Sequence, residues 1–220
     1  MNNTDYKVLE HHSAEYPKLL HNIYDYPEKI YIKGQLEDKC IAIVGTRGCS
    51  SYGRQIAYEM ARDLAKQGLC VVSGLARGID TAAHKGALSA GSTLAVLPGH
   101  FDQITPVSNT RLAEEISKQG ALITEYGPNS HIDKINFVAR NRIIAGISMA
   151  VIVIEAPKGS GSLMTADFAL GNNMPVMVVP GLVSTNFEGS HSLIRQGATL
   201  ISSSSQVLSE LRLQTKALGV

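Results

Sequence analysis

The segment NFVARNRIIAG, residues 136–146, places charged side chains beside an apolar run. Residues in or just before it could bind an anion or a planar ring: Lys134, Phe137, Arg140, Asn141 and Arg142. A guanidinium at the edge of a protein core needs a partner, because burial removes the water that stabilises its charge. That partner is either a group of the same protein or an anionic ligand, and the segment alone leaves both open.

Composition narrows the classes of function. The formal net charge is +1 at pH 7, so an anionic partner would require a local cluster of cations. The three cysteines have no CxxC spacing and the seven histidines form no metal-binding pattern, so we expect no metal. The sequence has no signal peptide, and no apolar run nears the roughly 18 residues of a membrane helix. We therefore expect a cytoplasmic protein that does not contact a membrane.

Buried strands alternate with helices from residue 40 onward. Val- and Ile-rich runs predict strands at residues 40–44, 69–73, 93–97, 121–124, 151–154 and 176–179. Helices are predicted between them at residues 52–66, 79–89, 109–118, 140–147 and 163–170. A further strand at 199–201 precedes a last helix that begins near Ser204. The alternation predicts an α/β fold over residues 40–220, an extended Rossmann-like, doubly wound and mostly parallel sheet.

The first 39 residues have a different pattern, with five of the eight tyrosines and three histidines. Within them, KIYIKG has the composition of an edge strand. We therefore expect residues 1–39 to form a short N-terminal extension packed on the core.

The loops that follow the six main strands should all emerge at one edge of such a sheet, where Rossmann-like folds bind ligands. Four of these loops are rich in Gly and Ser. Four carry a cation: Arg47, Arg77, Lys134 and Lys158. Glycine lets a backbone approach a phosphate, helix N-termini donate N–H groups to it, and cations neutralise its charge. The loops together predict a phosphate-binding surface, whereas any one of them alone could be a simple tight turn.

Catalytic motifs are not evident. The glycines after the first strand are spaced GxxGxxxxG, unlike the dinucleotide GxGxxG, and KGSGS lacks the order of a P-loop. Serines in Gly-rich loops have no obvious base, because His84 falls within a predicted helix. Asp80 and Glu125 at strand ends could act as acid–base groups, or they could pair with arginines or cap helices. We favour the structural role for both carboxylates.

Taken together, the loops resemble those of the DNA-processing protein A (DprA/Smf) family. The matching segments run in the family's order from near residue 14 to near residue 209: IAIVGTR…SYG, VVSGLARGIDTAAHKGAL, TLAVLPG, LITEYGP, NFVARNRIIAG, SGSLMTADFAL and VPG…GSHSLIRQGA. Two segments depart from the common pattern. Thr105-Pro106 stands where Tyr-Pro is usual, and Val138 replaces the proline of FPARNR. Neither change removes a cation or a ring.

The resemblance implies a non-enzymatic, cofactor-free protein of natural transformation. Such proteins bind incoming single-stranded DNA, protect it and help to load a RecA-type recombinase, usually as homodimers. By resemblance, the DNA-binding residues here are Arg47, Lys134 and Phe137, with the two glycine loops beside them: Ser73, Gly74, Arg77, Gly78, Ser160, Gly161 and Ser162. Many relatives also carry a sterile-alpha-motif-like domain and a winged-helix domain. The sequence leaves open whether these were trimmed or are naturally absent.

Arg140 and Arg142 are harder to assign. Two residues apart on a helix, they point about 200° apart, so both cannot face one groove. We expect one to meet DNA or a loop carboxylate, Glu125 or Glu155, and the other to brace a loop. Asn141 is expected to fix a loop by hydrogen bonding.

The main alternative is an enzyme or nucleotide binder that resembles the lysine-decarboxylase-like phosphoribohydrolases, which cleave nucleoside monophosphates. Their PGGxGTxxE loop carries a catalytic Glu. The equivalent loop is APKGSGSLMTA, and aligning Gly161-Ser162 with the Gly-Thr places Thr165 where the Glu should stand. A third possibility, a sensor of small nucleotides without a DNA role, is compatible with the glycine loops.

Overall fold

The computed structural model describes residues 5–217, with side chains to residue 212. In this part of the chain a single sheet contains nine strands, in the order β1-β2-β6-β5-β4-β3-β7-β8-β9. Their bounds are β1 Lys7–Glu10, β2 Lys29–Gly34, β3 Cys40–Val44, β4 Cys70–Ser73, β5 Thr93–Val96, β6 Ala121–Thr124, β7 Val151–Val153, β8 Val176–Val178 and β9 Thr199–Leu200. None of the described helices is both long and apolar enough to span a bilayer.

Helices connect the parallel strands. Their bounds are α1 Ser51–Lys66, α2 Ile79–Leu88, α3 Thr110–Gln119, α4 Lys134–Gly146, α5 Gly161–Gly171, α6 Glu188–Arg195 and α7 Ser204–Ala217. Short 3-10 turns occur at Lys18–Asn22, Val107–Asn109 and Thr185–Phe187. The strands from β3 to β9 are all parallel to their neighbours, whereas β2 joins β6 antiparallel. The predicted doubly wound, mostly parallel α/β fold is confirmed.

The order of the sheet reverses at β3, which lies between β4 and β7. The chain first adds β4, β5 and β6 on one side of β3 and then crosses to add β7, β8 and β9 on the other. At such a switch point the loops that follow the two central strands diverge and leave a crevice. We call the edge where the parallel strands end the carboxyl edge.

The N-terminal extension forms part of the sheet, which differs from the expectation that it packs on it. The segment KIYIKG is β2, and it is an interior strand because β1 pairs with its other side. The prediction of an edge strand was wrong because β1, residues 7–10, has no strong alternating pattern that would reveal it as a strand. Tyr31 of β2 thereby lies opposite Thr124, the last residue of β6.

Each central strand is buried on both faces, as its uninterrupted apolar sequence predicted. Along β3, Ile41 and Ile43 pack with α1 and α2, whereas Ala42 and Val44 pack with α4 and α5. This alternation follows from the two-residue period of a strand. The sheet is therefore held between two helical layers, and its loops are positioned from both sides.

Helix α4 begins at Lys134, six residues before the predicted start at residue 140. The cause is a capping box at its N-terminus, in which the backbone N–H of Asp133 donates to Oδ1 of Asn136 over 3.2 Å. Polar residues in the first turns conceal this helix from a search for apolar periodicity. Lys134 and Phe137 consequently lie on one helical turn.

His84 of α2 is a buried residue that ties the helix to the sheet. Its Nε2 accepts the Leu75 N–H over 3.3 Å, and its Nδ1 donates over 2.8 Å to the Thr93 hydroxyl, which itself donates to the Val71 carbonyl. Burial, with Arg140 contributing in the same direction, lowers the pKa of His84 to about 3. These bonds give His84 a structural role.

The neutral state of His84 makes stability depend on pH. An unfolded histidine titrates near 6.5, so unfolding takes up a proton at pH values between about 3 and 6.5. Its stabilising contribution is complete above pH 6.5 and is lost as pH falls towards the folded pKa. Between pH 7 and pH 5 this lowers the free energy of unfolding by about 2 kcal/mol. The variant His84→Asn lacks this term, and urea denaturation at both pH values measures the difference.

Two comparisons make that test specific. Burial raises the pKa of Asp80, which acts in the opposite direction, but this contribution is present in both proteins and cancels between them. His12→Asn removes an exposed histidine and is measured alongside as the control for the loss of a histidine. Equal pH dependence in the parent and in His84→Asn would mean that the fold does not lower the pKa of His84.

Candidate nucleic-acid interface

A cavity of about 430 Å³ opens at the carboxyl edge, at the switch point of the sheet. Its wall includes the loop after β3, residues of α4 between 137 and 144, the first residues of α5, and the loop between β7 and α5. The predicted site residues that line it are Arg47, Phe137, Arg140, Asn141, Ser160, Gly161 and Ser162. The loops that sequence analysis placed at one edge therefore converge on one cavity.

Arg140 forms the floor of the cavity and is satisfied from within the protein. Its Nη1 donates to the carbonyls of Gly74 and Val96, the latter over 3.0 Å, and its Nε donates to Asn141 Oδ1 over 3.1 Å. Burial lowers the pKa of this guanidinium, and the nearby carboxylate of Asp80 acts in the opposite direction. The partner of Arg140 is thus internal, although one face of the side chain borders the cavity.

Gly74 and Ser73 lie behind this floor. A Cβ at Gly74 would overlap the Arg140 guanidinium, so only glycine fits there. The Ser73 hydroxyl is buried and donates to the Ile43 carbonyl over 2.7 Å. Ser73 and Gly74, both predicted as DNA-binding residues, therefore support the site from inside the sheet, and neither lines the cavity.

Asp80 shapes the loop after β4. Its Oδ2 accepts the N–H groups of Gly74 and Ala76 over 3.2 and 3.3 Å. Gly78 ends this loop with φ of +79°, and a Cβ there would overlap the Thr46 carbonyl of the loop after β3. Asp80 has the structural role that we favoured from sequence. Its hydrogen-bond partners are backbone N–H groups, and Arg140 interacts with it electrostatically.

Glu155 is a functional residue whose role the sequence did not disclose. It is fully buried at the end of β7, and its carboxylate accepts the N–H of Ser50 over 3.0 Å and the hydroxyl over 2.7 Å. Its carbonyl accepts the Thr46 N–H over 2.7 Å. Glu155 therefore holds the loop that carries Arg47. A carboxylate directly after an apolar strand was the available signal, but it was assigned to an arginine.

Arg47 and Phe137 meet at the mouth of the cavity. The Arg47 Cζ lies 5.4 Å from the centroid of the Phe137 ring, a distance at which a cation is attracted to the ring face. Arg47 is exposed and Phe137 is half-buried. Lys134 is exposed one turn before Phe137, and Arg77 and Lys158 are exposed on neighbouring loops. The outer part of the site thus combines several accessible cations with one ring.

The N-terminus of α5 is presented to the same cavity. Ser160 caps the helix, its hydroxyl accepting the Ser162 N–H over 3.4 Å and lying 2.8 Å from the Ser162 hydroxyl. Asn141 donates to the Gly161 carbonyl over 3.2 Å and fixes this turn, which is the role expected for it. Free N–H groups and the helix dipole make such a terminus suited to a phosphate.

Arg142 lies away from the cavity. Its Nη2 is 2.6 Å from Glu125 Oε2, and its Nε is 3.2 Å from Asp25 Oδ2 in the N-terminal extension. Arg142 thus meets Glu125, one of the loop carboxylates expected as a partner for one arginine of this pair, and it does not line the cavity. Its position half a turn from Arg140 directs it to the extension, where it pairs α4 with the end of β6.

The chain matches the family model described as DNA recombination-mediator protein A over residues 7–212. DNA processing protein DprA of Streptococcus pneumoniae is 41% identical over 200 residues, which are 89% of this chain and 71% of that protein. DprA of Bacillus subtilis is 38% identical over 205 residues, 90% of this chain and 69% of that protein. The Escherichia coli protein Smf is 39% identical, but only 55% of its length is covered.

Solved structures agree with these matches. S. pneumoniae DprA superposes with a TM-score of 0.90 at 39% identity, covering 94% of this chain and 75% of that one. Helicobacter pylori DprA, whose structure addresses its single-stranded DNA binding mode, gives 0.86 at 31% identity and covers 95% and 96%. A molybdenum cofactor binding protein of Rippkaea orientalis, at 0.57 and 21% identity, shares the fold alone. The protein described by these residues belongs to the DNA recombination-mediator protein A family.

Proposed function

We propose that this protein binds single-stranded DNA at the carboxyl edge of its sheet and acts in DNA recombination and natural transformation. The observation that carries the proposal is the Arg47–Phe137 pair at the mouth of the cavity. Binders of single strands without sequence preference need cations for phosphates and rings for bases. The single-strand binding of the H. pylori relative supports the same ligand for this chain.

Each half of the site then has a chemical task. The N–H group of Gly161, with Lys158 beside it, receives a phosphate at the start of α5, where the Ser162 N–H is already taken by the Ser160 cap. Phe137 stacks with a base, and Arg47 and Lys134 neutralise the adjoining phosphates. Arg140 and Asn141 keep the floor and the α5 turn in place, because their polar groups are already bonded to the protein.

The role in the cell is proposed from membership of the family. We propose that the protein acts in the cytoplasm as a homodimer, protects incoming single strands and helps a RecA-type recombinase to load on them. The family membership and the identity of 41% to S. pneumoniae DprA support these functions. Gel filtration with light scattering tests the dimer, and a strand-exchange assay with a recombinase tests loading.

A nucleotide-binding or hydrolytic function is the alternative. Thr165 lines the cavity at the position where a phosphoribohydrolase has its catalytic Glu. Asp80 also lines it, but Oδ2 of its carboxylate already accepts two backbone N–H groups. Fluorescence anisotropy with labelled single-stranded and duplex DNA, competed by mononucleotides across a salt series, separates the functions. Competition by micromolar mononucleotide or release of free base would favour the alternative.

Replacing Arg47 tests the phosphate contact. We expect Arg47→Ala to weaken single-strand binding and to reduce the slope of log affinity against log salt by about 0.7, the contribution of one phosphate. The slope is measured by anisotropy between 50 and 300 mM salt. Lys66→Ala is the matched control, because it removes one charge at the opposite end of α1, about 24 Å along the helix. If both variants keep the parent slope and affinity, Arg47 is not in the interface.

Replacing Phe137 tests stacking separately from charge. Phe137→Leu keeps an apolar side chain but removes the ring, and we expect affinity to fall roughly 5- to 150-fold, as for loss of 1–3 kcal/mol of stacking. The salt slope should stay unchanged because no phosphate contact is lost. Phe137→Tyr retains a ring and should bind like the parent. Equal losses in the two variants, or a loss of melting temperature that parallels the loss of binding, would identify the ring as core packing.

A further inference from the structure

The carboxyl edge has a second cation–ring pair, at the opposite end from β8 and β9. The Lys29 Nζ lies 5.9 Å from the centroid of the Tyr31 ring in β2. Tyr31 is level with the last residue of β6, so its ring is at the same edge as Arg47 and Phe137. Lys29 is exposed and Tyr31 is half-buried, the same combination as in the first pair.

Tyr31 is held by a group of rings that we call the Tyr31 cluster: Tyr6, Tyr31, His100 and Phe101. The Tyr31 centroid lies 5.9 Å from that of Tyr6 and 5.8 Å from that of His100, both in edge-to-face geometry. His100 and Phe101 are 4.8 Å apart and follow β5. Edge-to-face contacts fix the plane of a ring. The cluster therefore presents Tyr31 in a set orientation.

His100 shows that this cluster is more than apolar packing. The residue is 7% exposed, its Nδ1 faces Asp102 Oδ1 over 3.1 Å, and its buried Nε2 has no hydrogen-bond partner among the described residues. A buried polar atom without a partner costs free energy, which a ligand group or a rotated ring could recover. The His100 ring lies beside those of Tyr6 and Tyr31, so its unpaired Nε2 suits a ligand with both a flat face and hydrogen-bonding edges.

The two ring sites are joined along one edge. A Cβ at Gly127 would lie 2.9 Å from the Tyr31 hydroxyl, so Tyr31 rests on the loop after β6. That loop leads into α4, whose first residue is Lys134 and whose fourth residue is Phe137. Along the chain, the exposed Lys134 therefore lies between the loop that contacts Tyr31 and the ring of Phe137.

We propose that Lys29 and Tyr31 form a second subsite for single-stranded nucleic acid, which takes a base on the Tyr31 ring and a phosphate at Lys29. This inference rests on the proposed function, because the strand must also occupy the Arg47–Phe137 site. From β3 to β2 the sheet has four inter-strand steps, about 19 Å in all. A stacked strand with a rise of about 3.4 Å per nucleotide covers this distance in about six nucleotides.

If the subsite exists, Tyr31 should contribute to the affinity for a long single strand but not to the affinity for a short one. Oligothymidylates of 3 and 12 nucleotides are titrated against the full chain and the variant Tyr31→Leu. We expect the variant to bind the 12-mer at least about fivefold more weakly, as for one lost stacking contact, and the 3-mer as the parent does. Tyr31→Phe keeps the ring and should bind both lengths like the parent.

Lys29→Ala provides an independent test, since Lys29 is exposed and its loss does not threaten the fold. It should lower the salt slope by about 0.7 for the 12-mer only. A 12-mer carrying 5-iodouracil should also cross-link to the peptide that contains Tyr31. The inference is overturned if Lys29→Ala and Tyr31→Leu leave 12-mer binding unchanged, or weaken both lengths equally. Failure of the proposed function looks different, because the parent would then bind neither length.

Discussion

The arrangement of the site depends on one buried guanidinium. Arg140 is surrounded by the ends of β4 and β5, and its hydrogen bonds to the carbonyls of Gly74 and Val96 replace the water that it loses. An unpaired charge in that position would cost several kcal/mol, so the loops must stay where they satisfy it. Through Asn141, which bonds to Gly161, the same constraint reaches the start of α5. A single cation thus fixes three loops that come from distant parts of the sequence.

Burial divides similar residues into two groups. Arg140 and Arg142 have partners inside the protein, whereas Arg47, Arg77, Lys134 and Lys158 are exposed at the carboxyl edge. Glu155 and Asp80 follow the same logic, since each accepts backbone N–H groups and shapes a loop. The internal charges therefore hold the loops in place, and the exposed cations remain available to a ligand. The net charge of +1 conceals this separation.

Sequence analysis was most successful where a pattern has one physical cause. Uninterrupted apolar runs predicted the central strands, because a strand covered on both faces has no polar side. It failed where a few atoms decide the outcome. The start of α4 depends on the capping interaction between Asp133 and Asn136. The place of β2 inside the sheet depends on its pairing with β1, a strand of only four residues. Likewise, Ser73 and Arg142 carry suitable chemistry, but their rotation about the strand or helix directs them inward, which residue type alone does not specify.

The contact between Arg47 and Phe137 has a consequence for the free protein. The Arg47 guanidinium is a flat cation, and it lies over the Phe137 ring with its Cζ 5.4 Å from the ring centroid. On the proposed function, a nucleobase that stacks on Phe137 either displaces the Arg47 guanidinium or lies beside it. The charge of Arg47 beside the ring also means that the mouth of the cavity does not present a purely apolar surface to other proteins.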